Sequence, residues 1–271
     1  MSAQKKLIGL GSALRTMATR RVSTSGAVVL GYHDVQPLDA IGTDYTVTPE
    51  LLRWQLAKAL QWGVRFVTLP DLTRTWLAGH SVDGLASVVF DDALVGVHRY
   101  AAGILDELNV PGTLFPLTRG LGQRPGWWAG AARTMTATET TELLGLGWSV
   151  GSHTRTHASL PELSLAAARD EIAGSRADLE DATGRAITTI AYPFGHHNAP
   201  VRDLCREAGY DIGFTFLNGR VTTDLDAFRL PRLTMTMRSS GWRWAYHLSR
   251  SAGSWPDTQL PEVMGRDQER A

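Results

Sequence analysis

Two short segments carry residues able to do metal-assisted chemistry. The run Ala86-Ser87-Val88-Val89-Phe90 ends in two adjacent carboxylates, Asp91 and Asp92. The run Trp148-Ser149-Val150-Gly151 leads to two imidazoles four residues apart, His153 and His157. One Asp and two His give three protein ligands, the composition of a catalytic metal site that keeps one position open. Successive side chains at a strand end point in different directions, so Asp91 and Asp92 do not easily bind the same ion. One of the pair can hold a metal while the other takes a proton from water. Each pair alone has an ordinary explanation, since adjacent Asp residues often bond turn backbone and loop histidines are often plain surface. Both pairs follow buried strands, and that combination favours a shared site.

The elements that must position these residues follow from hydrophobic patterning. Strand-like runs end near His33 (from Ala27), Leu69, Asp91, Leu117, His153, Pro193, Phe216 and Leu233. Helical patterns lie between them: from Pro49 to Gly63, and over about 97–108, 136–146, 163–179 and 199–208. Thr136 and Glu139 have capping-box spacing. Ser164, Asp170 and Glu171 suit the polar side of the helix that contains them. Strands alternating with helices predict a parallel sheet with crossover connections. Eight such units favour an α/β fold of the closed kind, a distorted β/α barrel of seven or eight strands. The chemical residues fall just after strands, where such a barrel places its active site.

Bulk properties fit one barrel domain. The chain has 271 residues, enough for a sizeable core, and 27 basic against 27 acidic residues. Zero net charge gives no argument for a nucleic-acid partner. The lone Cys205 excludes an intramolecular disulfide. No apolar run reaches transmembrane length. The expected organisation is a basic mobile tail over 1–25, a single barrel domain over 26–250 and a polar tail over 251–271. The start is a poor secretory signal, because glycines interrupt its apolar run and arginines follow closely. Cytoplasmic residence is the expectation, with secretion or envelope association left open.

At this point the motifs carry a resemblance. Val89-Phe90-Asp91-Asp92-Ala93 and His153-Thr154-Arg155-Thr156-His157 are similar to the first two motifs of the polysaccharide deacetylase family, carbohydrate esterase family 4. Ala191-Tyr192-Pro193-Phe194-Gly195 resembles its third. The likeness covers about 27–233 and implies the family's barrel and its reaction: metal-dependent hydrolysis of acetamide groups on N-acetylated sugars, releasing acetate. It also implies that Asp92, His153 and His157 hold the metal, that Asp91 is the base, and that the Phe194 N–H helps form an oxyanion hole. Zinc fits two imidazoles and one carboxylate, while cobalt, nickel or iron suit the same ligands.

Three positions depart from the family pattern. Ala93 replaces a glycine, which alters the turn after the carboxylates. Ala191 replaces an arginine that holds the base, and Arg232 either supplies that charge from another strand or makes an ordinary rim ion pair. The family's C-terminal Leu-x-His acid is absent, and His247 lies in the wrong context. The Tyr32-His33 pair resembles that of the poly-N-acetylglucosamine deacetylase branch, whose histidine fills the acid's place. As an imidazolium, His33 would have to stay protonated while Asp91 is ionised, with Asp34 or another carboxylate raising its pKa.

Tyr192, Pro193, Trp127 and Trp128 are candidate substrate contacts, since flat aromatic faces suit sugar rings, although most tryptophans are packing residues. His196 and His197 read as exposed loop residues. The expected partner is a carbohydrate. Two rival readings remain: a small-molecule amidohydrolase on the same scaffold, and a carbohydrate-binding protein with a degenerate site.

Overall fold

The computed structural model describes residues 25–241 together with Trp244 and Leu248. His247 and the segments read as tails, apart from Ser25, lie outside the described residues. The chain runs β1 (Val28–Tyr32), β2 (Asp34–Val35), β3 (Thr46–Val47), α1 (Pro49–Gln61), β4 (Arg65–Phe66), α2 (Leu69–Leu77) and β5 (Leu85–Asp91). A π turn (Val97–Ala101) then leads into α3 (Ala102–Glu107). The rest is β6 (Gly112–Phe115), α4 (Ala137–Gly145), β7 (Ser149–Val150), α5 (Leu165–Thr183), β8 (Thr189–Ala191), α6 (Ala199–Glu207), β9 (Ile212–Asn218) and β10 (Leu230–Thr234).

All strand pairings in the main sheet are parallel, in the order β7-β6-β5-β1-β10-β9-β8, with β4 added on β5. The row curls until a single parallel bridge, Ser152 with Ile190, links its two ends. That link has the Ser152 N–H donating to Thr189 O and the Ala191 N–H donating to Ser152 O, both at 2.9 Å. This is the expected distorted barrel.

Strand alternation explains how the wall is filled. Val28, Leu30, Tyr32, Val88 and Phe90 pack outward with Leu52 and Leu56 of α1 and Leu105 of α3. Val29, Val89, Phe115, Phe214 and Leu230 form a second cluster with Leu69, Leu72 and Trp76 of α2. Both sides of these strands are apolar because both are covered, as a parallel sheet requires. Truncating a fully buried aromatic such as Phe90 to Ala would cost about 3–5 kcal/mol.

The sequence reading needs correction in three places. The strand expected to end near Leu69 is only Arg65–Phe66, and Leu69 opens α2 instead, with the Thr68 side chain accepting the Asp71 N–H. The helix expected over about 163–179 spans Leu165–Thr183, with Ser164 as its N-cap and Gly184 closing it in the left-handed region. The β9-to-β10 crossover holds only a short 3-10 turn, not a full helix. The Thr136–Glu139 capping box is present, and Arg133 forks onto the same Glu139 carboxylate at 2.7 Å for both nitrogens.

Candidate active site

The barrel brings the C-terminal ends of five strands to one rim. Asp91 is the last residue of β5, and Asp92 follows it. His153 lies beyond β7, Phe194 beyond β8 and His33 beyond β1, while Arg232 sits within β10. Gly151 lets the His153 strand approach its neighbours, since a Cβ there would meet Phe115 Cε1 at 2.3 Å. The backbone at this rim is strained. Among the described residues, six non-glycine residues have positive φ, and five are here: Asp92, Ala93, Thr154, His157 and Phe194. Each such residue costs on the order of 1 kcal/mol, so the core must hold the loops in place. The turn after the carboxylates therefore adopts left-handed geometry with Ala93 (φ 50°) where the family uses glycine.

Asp92, His153 and His157 converge. His157 Nε2 lies 3.4 Å and His153 Nε2 3.6 Å from Asp92 Oδ1. Their candidate donor atoms all lie within 4.8 Å of one another, and all three residues are buried. Three ligands arranged tetrahedrally at zinc distances would sit roughly 3.3–3.5 Å apart. His153 Nδ1 lies 2.8 Å from Ala191 O. A proton on Nδ1 donating there leaves the Nε2 lone pair facing Asp92, the usual outer support of a metal-binding imidazole. Burial lowers the pKa of His153, and lowers that of His157 well below the ordinary value, which favours the neutral, ligating form of both rings. Burial and then the Asp91 charge push Asp92 well above the usual carboxylate range, so its ionised form calls for a cation. Asp92 Oδ1 and His157 Nδ1 are buried without a protein hydrogen-bond partner. The donor set, its spacing and the unpartnered Asp92 oxygen fit one divalent cation.

Asp91 points elsewhere. Arg232 Nη1 donates to Asp91 Oδ1 at 2.7 Å, and Arg232 Nε donates to Thr215 O at 3.0 Å. Side-chain exposure is 2% for Arg232 and 1% for Asp91, so this is a buried pair rather than a rim contact. Burial alone would raise the Asp91 pKa. The positive charge of Arg232 and the hydrogen bond it donates outweigh burial and hold Asp91 below the usual range. A register shift in the β10–β9 pairing falls between Leu230 and Arg232, the kind of irregularity that re-aims a side chain.

His33 Nε2 lies 3.9 Å from Asp91 Oδ2. Its ring sits among Tyr45, Trp128 and Phe216, with centroids 5.1–5.6 Å away. Burial in that cage pushes its pKa down to about 4, against the raising effect of Asp91. Burial therefore works against the resting imidazolium that the sequence led us to expect. Asp34 is not its raising partner, because Asp34 Oδ1 accepts the Val35 N–H at 2.9 Å and Gln36 Nε2 at 3.2 Å.

The tryptophans frame the imidazoles. Trp127 stacks on His157 at 4.5 Å, and Trp128 meets His33 edge-on at 5.5 Å. Phe194 is 39% exposed and stands edge-on to His157 at 4.4 Å. Tyr192 and Pro193, expected to touch substrate, are buried, and Tyr192 instead donates its hydroxyl to Phe228 O at 3.1 Å. His197 is also buried, stacked on Tyr192, while His196 is half-buried with Nδ1 3.0 Å from Ser159 Oγ. Tyr45 and Phe216 were not legible as site walls, because nothing local to either segment points to His33.

A parallel, distorted barrel with an Asp-His-His cluster and a second, arginine-held Asp at its C-terminal rim defines a deacetylase-type scaffold. Residues 79–213 match the family model for polysaccharide deacetylases, and the chain belongs to that family. The matched segment carries Asp91, Asp92, His153, His157 and Phe194, whereas His33 and Arg232 lie outside it. The poly-beta-1,6-N-acetyl-D-glucosamine N-deacetylase of Staphylococcus epidermidis is 22% identical over 233 residues, 78% of this chain and 80% of that one. YxkH of Bacillus subtilis (strain 168), named after the same family, is 24% identical over 57% of this chain. The chain spans about half (52%) of that relative's length. Among solved structures, IcaB from Ammonifex degensii is 26% identical, with a TM-score of 0.72 over 84% of this chain and 99% of its own. Streptococcus pyogenes deacetylase PplD, solved with acetate, shares the fold at 21% identity, with a TM-score of 0.73 over 84% of this chain and all of its own. No helix among the described residues is long and apolar enough to cross a membrane.

Proposed function

We propose that this protein hydrolyses the acetamide groups of an N-acetylated amino-sugar polymer, releasing acetate and leaving free amines. One observation carries the reading: a buried Asp92-His153-His157 cluster lies beside a second carboxylate, Asp91, held ionised by Arg232. Two imidazoles and a carboxylate suit zinc. A divalent metal held by these three residues supplies Lewis acidity toward the acetamide carbonyl and a water. Asp91 takes the proton from the attacking water. His33, neutral at rest and facing Asp91 Oδ2, passes that proton to the leaving nitrogen, so water and amide become acetic acid and amine, which ionise to acetate and an ammonium group. The Phe194 N–H, on a left-handed residue at the rim, donates to the oxygen that gains charge. Loss of such a donor costs about 3 kcal/mol of barrier. Trp127, Trp128 and Tyr45 wall the cleft with faces suited to a sugar ring.

The likeness to a relative named for poly-beta-1,6-N-acetyl-D-glucosamine, extending over most of both chains, supports that polymer class. The test is acetate release by zinc-loaded protein from β-1,6-linked N-acetylglucosamine oligomers, chitooligomers and small cyclic amides. Release from the sugar oligomers alone is expected. Release only from the cyclic amides would establish an amidohydrolase, and bound metal without acetate from any substrate would establish a binding protein.

A further inference from the structure

The loop between the two histidine ligands is gripped by one face of α5. Glu171 Oε2 accepts the backbone N–H groups of Arg155 at 2.8 Å and Thr156 at 2.9 Å, and Glu171 Oε1 accepts the Thr156 hydroxyl at 2.6 Å. One turn on, the Ser175 hydroxyl lies 2.7 Å from Ser152 Oγ, which accepts the Thr154 N–H at 3.1 Å. A further turn on, Asp178 takes both Arg155 Nε and Nη2 at 2.9 Å. Residues 171, 175 and 178 share one helix face. Gly174 lies on that face too. A Cβ there would meet Arg155 Cζ at 2.2 Å, so the guanidinium lies directly across the helix. A glycine inside a helix costs about 1 kcal/mol relative to Ala, and this crossing accounts for it.

Glu171 is 8% exposed, although it belongs to a residue type normally left in water. It fixes two consecutive N–H groups midway between His153 and His157, in a loop whose Thr154 and His157 both hold positive φ. Such a loop needs outside hydrogen bonds to stay strained. We infer that Glu171 is a positioning residue for the metal: its carboxylate sets the loop conformation that brings His157 Nε2 to Asp92. The α5 face Glu171-Gly174-Ser175-Asp178 serves the ligand loop and is not simply a solvated surface.

This inference rests on the metal reading above. The test separates reach from charge with two conservative variants. Glu171→Gln keeps the reach and an oxygen for both N–H groups, while Glu171→Asp keeps the charge but is one methylene short. Zn²⁺ affinity is measured by competition with a chromophoric chelator, the visible spectrum of the Co²⁺-loaded protein reports ligand geometry, and metal-free thermal unfolding reports the fold. Glu171→Asp is expected to lose 10- to 100-fold in Zn²⁺ affinity with an altered Co²⁺ spectrum, the range seen for groups that orient metal ligands. Glu171→Gln should stay within about threefold of wild type, with an unchanged spectrum. Wild-type affinity and spectrum in Glu171→Asp, whatever its Tm, would overturn the inference. So would equal losses in both variants that track an equal fall in metal-free Tm, because a general loss of fold, not the reach of the carboxylate, would then explain them. A wild-type chain that binds neither metal would instead overturn the metal reading itself.

Discussion

Replacing Arg232 by Met should both destabilise the protein and disarm the base. Arg232 and Asp91 form a buried pair at 2.7 Å, joining β10 to β5 across 141 residues of sequence. With charge centres roughly 4 Å apart and an effective dielectric of about 20, their attraction is about 4 kcal/mol. Removing one partner of such a buried pair typically costs 3–5 kcal/mol, since the remaining charge stays buried and unpaired. Arg232→Met should therefore lower unfolding stability of the metal-free protein by about 3 kcal/mol at pH 7, read from urea denaturation. The sign with pH follows from Asp91. In the wild type its folded pKa is depressed, so the pair's stabilisation is present above the ordinary carboxylate value and is lost as pH falls through the folded one. Without Arg232, burial dominates and raises the Asp91 pKa, so the acidic limb of kcat/KM should move to higher pH. The double variant Arg232→Met, Asp91→Asn should recover part of the lost stability. A stability loss below 1 kcal/mol, or an acidic limb that does not move, would refute the account of how Asp91 is held.

Three further outcomes are expected. Asp91→Asn should lower turnover by about 10²–10⁴ while Zn²⁺ affinity stays near wild type, because the proposed role of Asp91 is to move a proton and not to ligate; equal loss of metal would show the carboxylates were assigned wrongly. Ala93→Gly should change unfolding free energy by less than about 1 kcal/mol, since relief of left-handed strain is offset by a lost buried methyl and a freer unfolded chain; a change above 2 kcal/mol in denaturant titration would contradict this. Burial pushes Asp34 up to about 6, so folding favours its protonated form, and stability falls as pH rises through the window from its ordinary 3.8 to 6. That shift is worth at most about 3 kcal/mol, so Asp34→Asn should gain stability over wild type at pH 7.5 and none at pH 3.5 in urea titrations; a gain independent of pH would contradict the assignment.

Much of the site was legible because its ligands are spaced within single loops. Asp91-Asp92 and His153-x3-His157 each follow an apolar run, and parallel-barrel topology alone brings two such loops to one rim. Arg232 was readable as a candidate only from the missing charge at Ala191, and nothing local distinguished a buried partner from a rim ion pair. What failed to show depends on segments far apart in sequence. The cage that lowers the His33 pKa comes from Tyr45 and Trp128 on two separate loops and Phe216 in β9. Tyr192 looked like a cleft residue beside Phe194, yet its hydroxyl turns inward to Phe228 O, because a buried tyrosine needs a partner for its O–H. Glu171 looked like a solvated helix position until the strained loop opposite supplied its donors. The brief β4 was misjudged because the apolar Val67-Thr68-Leu69 stretch continues into a capped helix.

The central claim is that Asp92, His153 and His157 hold one divalent ion, and metal stoichiometry tests it most directly. Protein stripped with chelator, reloaded with Zn²⁺ and freed of excess should retain one equivalent per chain by elemental analysis. Asp92→Ala should retain less than about a tenth of an equivalent while remaining folded by circular dichroism. Full retention of zinc in a folded Asp92→Ala protein, or none in the wild type, would contradict the account.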